Sequence, residues 1–115
     1  MAIKDIKAAD LRKLIADKKE RLEMIDVREP EEYKTIHIKG SKLIPMNELA
    51  KRISEIDWSK EVVFICRSGS RSRLMADLVG AGREVGNLQY GIYECFIDGK
   101  GKNLEIDQEL IGGYF

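Results

Sequence analysis

Short apolar runs alternate along the chain with segments whose apolar residues recur at helical spacing. The clearest run covers residues 62–65, where two valines, a phenylalanine and an isoleucine stand together. Such a run is typical of a central parallel strand that is covered on both faces. Shorter runs predict a strand that begins at Ile3 and further strands at 22–27, 43–45 and Val85–Leu88. The strand at Val85–Leu88 is predicted to be the final one. This alternation predicts an α/β protein built on a parallel sheet.

Helical periodicity fills the segments between these runs. Pro30 followed by two glutamates marks one helix start, and Gly80 and Gly82 are predicted to end a later helix. The glycine-rich tail, residues 99–115, shows no clear pattern, and its structure is left unassigned. The whole chain, residues 1–115, is predicted to form one domain. The segments with apolar residues three or four positions apart, predicted as helices, are Ala8–Lys18, 46–56, 74–79 and 91–97.

Composition narrows the expected partners and compartment. Lys plus Arg number 20 and Asp plus Glu number 20, so neither nucleic acid nor an anionic membrane surface is expected as a partner. The N-terminus lacks the apolar core of a signal peptide, and no apolar run reaches the length of a membrane span. A cytoplasmic protein is therefore expected. Two cysteines and one histidine argue against a metal site and against a disulfide framework.

The main chemical candidate is a polar segment that follows the clearest strand. Cys66 stands at the carboxyl end of that strand, which is where open α/β sheets bind ligands. Small residues there allow successive backbone N–H groups to point inward at an anion, and the next helix adds partial positive charge. Residues 66–72 are called the Cys66 loop below. After the cysteine it contains Arg67, Ser68, Gly69, Ser70, Arg71 and Ser72.

These features predict that Cys66 is a nucleophile that reacts with an anion. Arg67, Arg71 and Arg73 are expected to add full positive charges, and together these effects favour the thiolate over the thiol. The alternative is a buried structural cysteine beside a basic loop, because free cysteine often serves as a small apolar side chain. That alternative leaves the strand end, the glycine, the three serines and the three arginines as coincidences. The functional interpretation is therefore favoured.

The order and spacing of the motifs resemble the rhodanese homology family from Ile3 to about Gly99. Three positions outside the Cys66 loop, Ile36, Lys39 and Tyr90, depart from the family's usual glycine, proline and glycine. The matching pieces are residues 25–33 (IDVREPEEY), 37–40 (HIKG), 66–72 (CRSGSRS) and 87–92 (NLQYGI).

The resemblance implies a rhodanese-like three-layer fold, in which helices cover both faces of a five-stranded, mainly parallel sheet. It implies an enzyme of the thiosulfate sulfurtransferase type, in which Cys66 takes sulfane sulfur from thiosulfate or a persulfide donor. The Cys66 persulfide would pass the sulfur to cyanide, a thiol or a sulfur-acceptor protein. No cofactor is implied. The backbone amides of residues 67–72 are implied to surround the persulfide.

Four further residues have both a functional and a structural interpretation. Asp26 and Arg28 would either support the Cys66 loop from the neighbouring strand end or form an ion pair that fixes the following turn. The ion pair is favoured, because buried pairs are more often architectural. His37 is interpreted as part of a structural turn, since a pre-formed thiolate needs no general base. Cys95 stands where the family usually has tryptophan, and core packing is favoured over a role as a resolving thiol.

Two other functions stay open from the sequence. The first is a phosphatase or arsenate reductase of related fold. Four residues separate Cys66 from Arg71, whereas tyrosine-phosphatase loops place five there so that the arginine grips phosphate oxygens. This function is therefore less favoured. The second is a non-enzymatic module that carries sulfur, binds a partner or senses oxidants through Cys66.

Overall fold

Five of the strands form one parallel sheet in the computed structural model, which describes residues 3–79 and 83–113. The order of strands across this sheet is β1-β6-β5-β2-β4. The predicted fold class, α/β with a five-stranded parallel sheet, is confirmed. In chain order the strands are β1 (Ile3–Ile6), β2 (Leu22–Asp26), β3 (Ile36–Ile38), β4 (Lys42–Leu43), β5 (Glu61–Ile65), β6 (Val85–Leu88) and β7 (Leu104–Ile106).

Helices cover both faces of this sheet. Helices α1 and α4 pack against each other on one face, and α3 contributes to the core on the other. The predicted helix ends at Gly80 and Gly82 lie outside the described residues. Within residues 3–79 and 83–113, no helix is both long enough and apolar enough to cross a bilayer. The helices are α1 (Ala8–Lys18), α2 (Pro30–Thr35), α3 (Ser70–Val79) and α4 (Gly91–Gly99).

Successive side chains of β5 enter two separate cores. Val63 and Ile65 join the core that contains residues of α1 and α4. Val62 and Phe64 join the core that contains residues of α3. Side chains alternate between the faces of a strand, so the continuous apolar run follows from burial on both sides.

The carboxyl ends of β2, β5 and β6 meet at one edge of the sheet. Asp26 of β2 lies opposite Ile65 of β5, and Asn87 of β6 lies opposite Phe64. Cys66 is the next residue after β5. Parallel pairing therefore brings three separate parts of the sequence to the edge where open α/β sheets bind ligands.

The prediction of a helix over residues 46–56 is wrong. This segment forms two 3-10 turns, Leu49–Lys51 and Ile53–Glu55, instead of one α-helix. Arg52 lies between them with φ −115° and ψ 15°, outside the helical region. A 3-10 turn also places residues three positions apart on one side, so it satisfies the same apolar spacing.

The tail without a clear pattern contains a strand. β7 pairs antiparallel with β3 in a two-stranded sheet, with His37 opposite Glu105. The prediction that Val85–Leu88 is the final strand is therefore wrong. A strand of three residues is too short to show a period, and its partner lies in a distant part of the chain.

Candidate functional site

The start of helix α4 fixes the position of Cys66, which is 0% exposed. The N–H of Ile92 donates to the carbonyl O of Cys66 at 3.0 Å, and the N–H of Tyr93 donates to that of Arg67 at 3.1 Å. Gly91 has a φ of +67°, and a Cβ there would lie 2.2 Å from the Arg67 carbonyl O. A glycine is required where two backbone segments approach so closely.

The Cys66 loop folds back over its own sulfur. The N–H of Gly69 donates to the Sγ atom of Cys66 at 3.0 Å. The φ of Gly69 is +98°, and a Cβ at this position would lie 1.9 Å from the carbonyl O of Gln89. The missing side chain thus allows both the turn and its close packing on the segment after β6.

A buried hydroxyl also faces the sulfur. The Oγ atom of Ser72 lies 3.3 Å from the Sγ of Cys66 and 2.5 Å from the Oδ1 of Asn87. A hydroxyl has one proton, so at a given moment Ser72 donates to only one of three acceptors: the sulfur, the amide oxygen of Asn87 or the carbonyl O of Gly69. Ser72 is 0% exposed and Asn87 is 1% exposed.

Asn87 fastens the loop from the neighbouring strand. Its Nδ2 lies 3.3 Å from the carbonyl O of Gly69 and 3.3 Å from the Oδ1 of Asp5. The sequence pattern alone does not indicate this role of Asn87. The available signal was a polar side chain within the otherwise apolar and glycine-containing strand β6.

Helix α3 begins at Ser70, directly after the residue whose N–H contacts the sulfur. The N-terminus of a helix carries partial positive charge, and hydrogen bonds to charged groups are the stronger ones. The backbone N–H of Gly69 therefore stabilises negative charge on the sulfur of Cys66, and the hydroxyl of Ser72 adds to this when it donates to the sulfur. This arrangement suits a thiolate, and equally a persulfide anion formed on it.

The expectation of three full positive charges around Cys66 needs correction. Arg71 forms a two-pronged ion pair with Glu32, with distances of 2.8 Å and 2.9 Å. Arg73 forms an ion pair with Asp5 at 2.5 Å. Two of the three arginines thus have carboxylate partners that sequence spacing did not indicate. Arg67 is exposed.

Glu32 lies beside the Cys66 loop and belongs to α2, whereas its position in the sequence predicts only an acid at a helix start. Its Oε1 accepts a hydrogen bond from the N–H of Glu29 at 3.0 Å, in a reciprocal capping box. The hydrogen bonds from Arg71 hold the pKa of the Glu32 carboxyl below its usual value. Glu32 is therefore an ionised and well-positioned neighbour of the Cys66 loop.

Asp26 and Arg28 form a fully buried ion pair. The Nε and Nη2 atoms of Arg28 each lie 2.9 Å from a carboxylate oxygen of Asp26, and both side chains are 0% exposed. The Nη2 also donates to the carbonyl O of Ile36 at 2.6 Å. These contacts tie the end of β2 to β3, as expected of an architectural pair.

His37 and Cys95 have their described contacts away from the Cys66 loop. The Nε2 of His37 lies 3.0 Å from Glu105, and its Nδ1 lies 2.7 Å from the carbonyl O of Tyr33. Cys95 belongs to the core with α1 and α4, whereas Cys66 belongs to the other core. Burial raises the pKa of the Cys95 thiol to about 12. In the described part of the chain, no three His, Cys, Asp or Glu residues are grouped to hold a metal ion.

Comparison with known proteins identifies relatives of this chain. A family model described as "Rhodanese: Rhodanese-like domain" matches residues 7–96. The Bacillus subtilis (strain 168) protein described as "Putative sulfurtransferase YtwF" is 45% identical over 73 residues, which cover 63% of this chain and 69% of that protein. "Putative sulfur carrier protein YrkF" from the same organism is 45% identical over 60 residues, or 52% of this chain. The match spans only 32% of that second protein.

Solved structures show the same fold. The rhodanese-like domain protein from Staphylococcus aureus superposes with a TM-score of 0.77 at 24% sequence identity. The superposition covers 91% of this chain and 99% of the staphylococcal chain. At this level of identity, the likeness extends to the fold and supports no shared substrate.

Proposed function

This chain belongs to the rhodanese-like domain family, and on that premise we propose that it transfers sulfane sulfur through a persulfide on Cys66. One observation carries the proposal. The Sγ atom of Cys66 receives the N–H of Gly69 and faces the hydroxyl of Ser72, within a loop that is fastened on both sides. A loop that directs donors at a cysteine sulfur favours the reactive anionic forms of that sulfur.

The first step loads sulfur onto the enzyme. The thiolate of Cys66 attacks the outer sulfur of a donor, either thiosulfate or a small persulfide. A new S–S bond forms on Cys66 while the S–S bond of the donor breaks. The electron pair of that broken bond leaves on sulfite or on the thiolate of the donor. Hydrogen bonds from the loop then hold the persulfide anion.

The second step passes sulfur to an acceptor. Cyanide or a thiolate attacks the outer persulfide sulfur, and the S–S bond to Cys66 breaks. The electron pair returns to the Sγ atom of Cys66, so the thiolate is regenerated without a cofactor. Because donor and acceptor react in turn with the same sulfur, ping-pong kinetics are expected.

Mass spectrometry of the intact protein tests the first step directly. Incubation with thiosulfate or with a small persulfide, without reducing agents, should add one sulfur atom at Cys66. The Cys66→Ser variant should gain none, while the Cys95→Ser variant should gain sulfur as the wild type does. If neither donor loads Cys66 and a persulfidated donor protein also fails, the enzymatic function is rejected.

A non-enzymatic sulfur carrier is the second candidate, since one relative is described as a sulfur carrier protein. A carrier would load sulfur on Cys66 but release it only to a specific protein. Turnover with small thiols or cyanide separates the two functions. Loading followed by rapid release to small acceptors supports the enzyme, and loading without such release supports the carrier.

A further inference from the structure

The pair between Arg71 and Glu32 joins the Cys66 loop to helix α2. The Nη1 of Arg71 lies 2.8 Å from the Oε1 of Glu32, and its Nη2 lies 2.9 Å from the Oε2. Both donors of the guanidinium edge are thus directed at one carboxylate. This fork geometry fixes orientation as well as distance, which a single-contact pair does not.

Glu32 and Arg71 are each positioned by their own helix, apart from the contact between them. Glu32 accepts the N–H of Glu29 in the capping box of α2, and its pKa is lowered, so the carboxylate keeps its negative charge at neutral pH. Arg71 lies in the first turn of α3, one residue before the buried Ser72. The side chains are 33% exposed at Arg71 and 22% exposed at Glu32. The pair is therefore a fixed part of the site's partly buried surroundings.

This pair changes the charge that an approaching sulfur donor meets. Without Glu32, Arg71 would add a full positive charge to a loop that already presents N–H groups to the sulfur. With Glu32, that charge is compensated, and Arg73 is compensated in the same way by Asp5. A dianion loses more attraction than a monoanion when a nearby positive charge is cancelled, because Coulomb energy scales with the charge of the ligand.

We propose that Glu32, by holding Arg71, sets the donor preference of Cys66 toward monoanionic persulfides and away from dianionic thiosulfate. The inference rests on the sulfur-transfer function proposed above and concerns the donor of that reaction. Glu32 acts here as a positioning residue, through Arg71. The chemistry is the same for both donors: the Cys66 thiolate attacks the outer sulfur, and the electron pair of the donor's S–S bond leaves on sulfite or on a thiolate.

The test compares two donors in two charge-matched variants. Thiosulfate and the persulfide of 2-mercaptoethanol are assayed with the wild type, Glu32→Gln and Glu31→Gln, with kcat and KM measured separately. Glu31 is an exposed neighbour on the same helix, and its variant makes the same charge change while leaving the two-pronged pair of Arg71 with Glu32 in place. In Glu32→Gln, kcat/KM for thiosulfate relative to the persulfide should rise by about three- to tenfold, mainly through a lower KM. In Glu31→Gln the ratio should stay within about twofold of the wild type.

The opposite results are equally clear. Equal loss of activity toward both donors in Glu32→Gln would show a merely structural pair, and an unchanged ratio would also overturn the inference. If Glu32→Gln fails to fold, the wild type still decides, because compensation of Arg71 and Arg73 predicts that kcat/KM for thiosulfate falls with ionic strength by no more than the single charge of Arg67 accounts for. A steep fall with salt contradicts the inference. Failure of both donors, and of a persulfidated donor protein, to load Cys66 instead rejects the sulfur-transfer function itself.

Discussion

The backbone N–H of Gly69 lies 3.0 Å from the Sγ atom of Cys66. The same glycine has a φ of +98° and leaves room for the carbonyl O of Gln89, which would lie 1.9 Å from a Cβ. One absent side chain therefore permits both the turn and the donor at the sulfur. A side chain at Gly69 would therefore disturb the contact between the loop and the sulfur.

Gly69→Ala should greatly reduce loading of sulfur onto Cys66. The left-handed backbone costs about 1–2 kcal/mol for alanine, and the clash with Gln89 must move the loop. Loss of one hydrogen bond to a charged sulfur, worth about 1.5–3 kcal/mol, corresponds to roughly a 10- to 100-fold lower rate. Rates of persulfide formation, followed by mass spectrometry, provide the measurement.

Gly101→Ala is the matched control. Gly101 also has a positive φ, +86°, but a Cβ there would have the side chain of Ile106 as its nearest neighbour, at 3.6 Å. The variant should lose similar stability through backbone strain and retain sulfur transfer. Equal loss of activity in both glycine variants would mean that general destabilisation, and not the contact at the sulfur, explains the Gly69 result.

Asp26→Asn should be strongly destabilising, because it leaves the buried guanidinium of Arg28 without its counter-charge. Breaking such a pair costs about 3–5 kcal/mol. Asp98 offers a comparison, since its pair with Arg12 has a carboxylate that is 54% exposed. Asp98→Asn should cost about 1 kcal/mol or less. Urea unfolding of the two variants measures both values, and comparable losses would contradict the architectural assignment of Asp26.

The strand pattern of the sequence was reliable where burial on both faces dictated it. Four consecutive apolar residues at 62–65 do not fit an amphipathic element with one exposed face, and β5 is the central strand of the sheet. The segment 46–56 failed for the opposite reason: its apolar spacing fits an α-helix and a pair of 3-10 turns equally well. The sequence pattern does not predict β3 or β7, because each strand has three residues and its pairing partner lies in a distant part of the chain.

The same distinction applies to the candidate site. The Cys66 loop is contiguous, so its glycine, serines and arginines could be recognised together. Glu32 and Asn87 reach the loop only because α2 and β6 meet it in three dimensions, and spacing along the chain gave no reason to pair them with Arg71 and Ser72. The charge of the site was overestimated for this reason.

Cys95→Ala should retain sulfur transfer. Cys66 and Cys95 belong to different cores of the sheet, and a disulfide between them would require a short Cα–Cα distance. With its pKa raised to about 12, only on the order of one Cys95 thiol in 100,000 is ionised at pH 7. The variant should lose about 1–2 kcal/mol of stability through the small cavity it creates. A Cys66–Cys95 disulfide detected during turnover would overturn this prediction.

Glu32 should contribute stability that disappears in acid. Arg71 lowers the pKa of Glu32 in the folded protein, so the unfolded chain binds its proton more readily. The stabilisation is therefore fully present above the ordinary carboxyl value and is lost as pH falls through the lowered folded value. The wild type should exceed Glu32→Gln by about 0.5–1 kcal/mol at neutral pH, and the difference should shrink below about pH 4.5. Urea unfolding of both proteins at several pH values checks the sign. A difference in the free energy of unfolding that does not change with pH would refute the link between the pKa of Glu32 and stability.

Aryl phosphates should not be turned over. Four residues separate Cys66 from Arg71, and the guanidinium of Arg71 is already directed at Glu32. A phosphate ester would need that arginine as a two-pronged ligand of its oxygens. The assay is release of p-nitrophenol from p-nitrophenyl phosphate. Robust release that vanishes in Cys66→Ser would favour the phosphatase function instead.

The antiparallel pairing of β3 with β7 has a consequence for synthesis of the chain. The parallel neighbours of β5, and the whole Cys66 loop, precede β7 in the sequence, whereas β3 waits for residues 104–106 to form its ladder. A pairing between two distant segments can form only after the second segment has been synthesised. Until β7 has been synthesised, the carbonyl of Ile36, which accepts a hydrogen bond from Arg28 in the folded protein, belongs to a segment that lacks its pairing strand. The segment that was hardest to assign from the sequence thus supplies the strand that completes the support of Arg28.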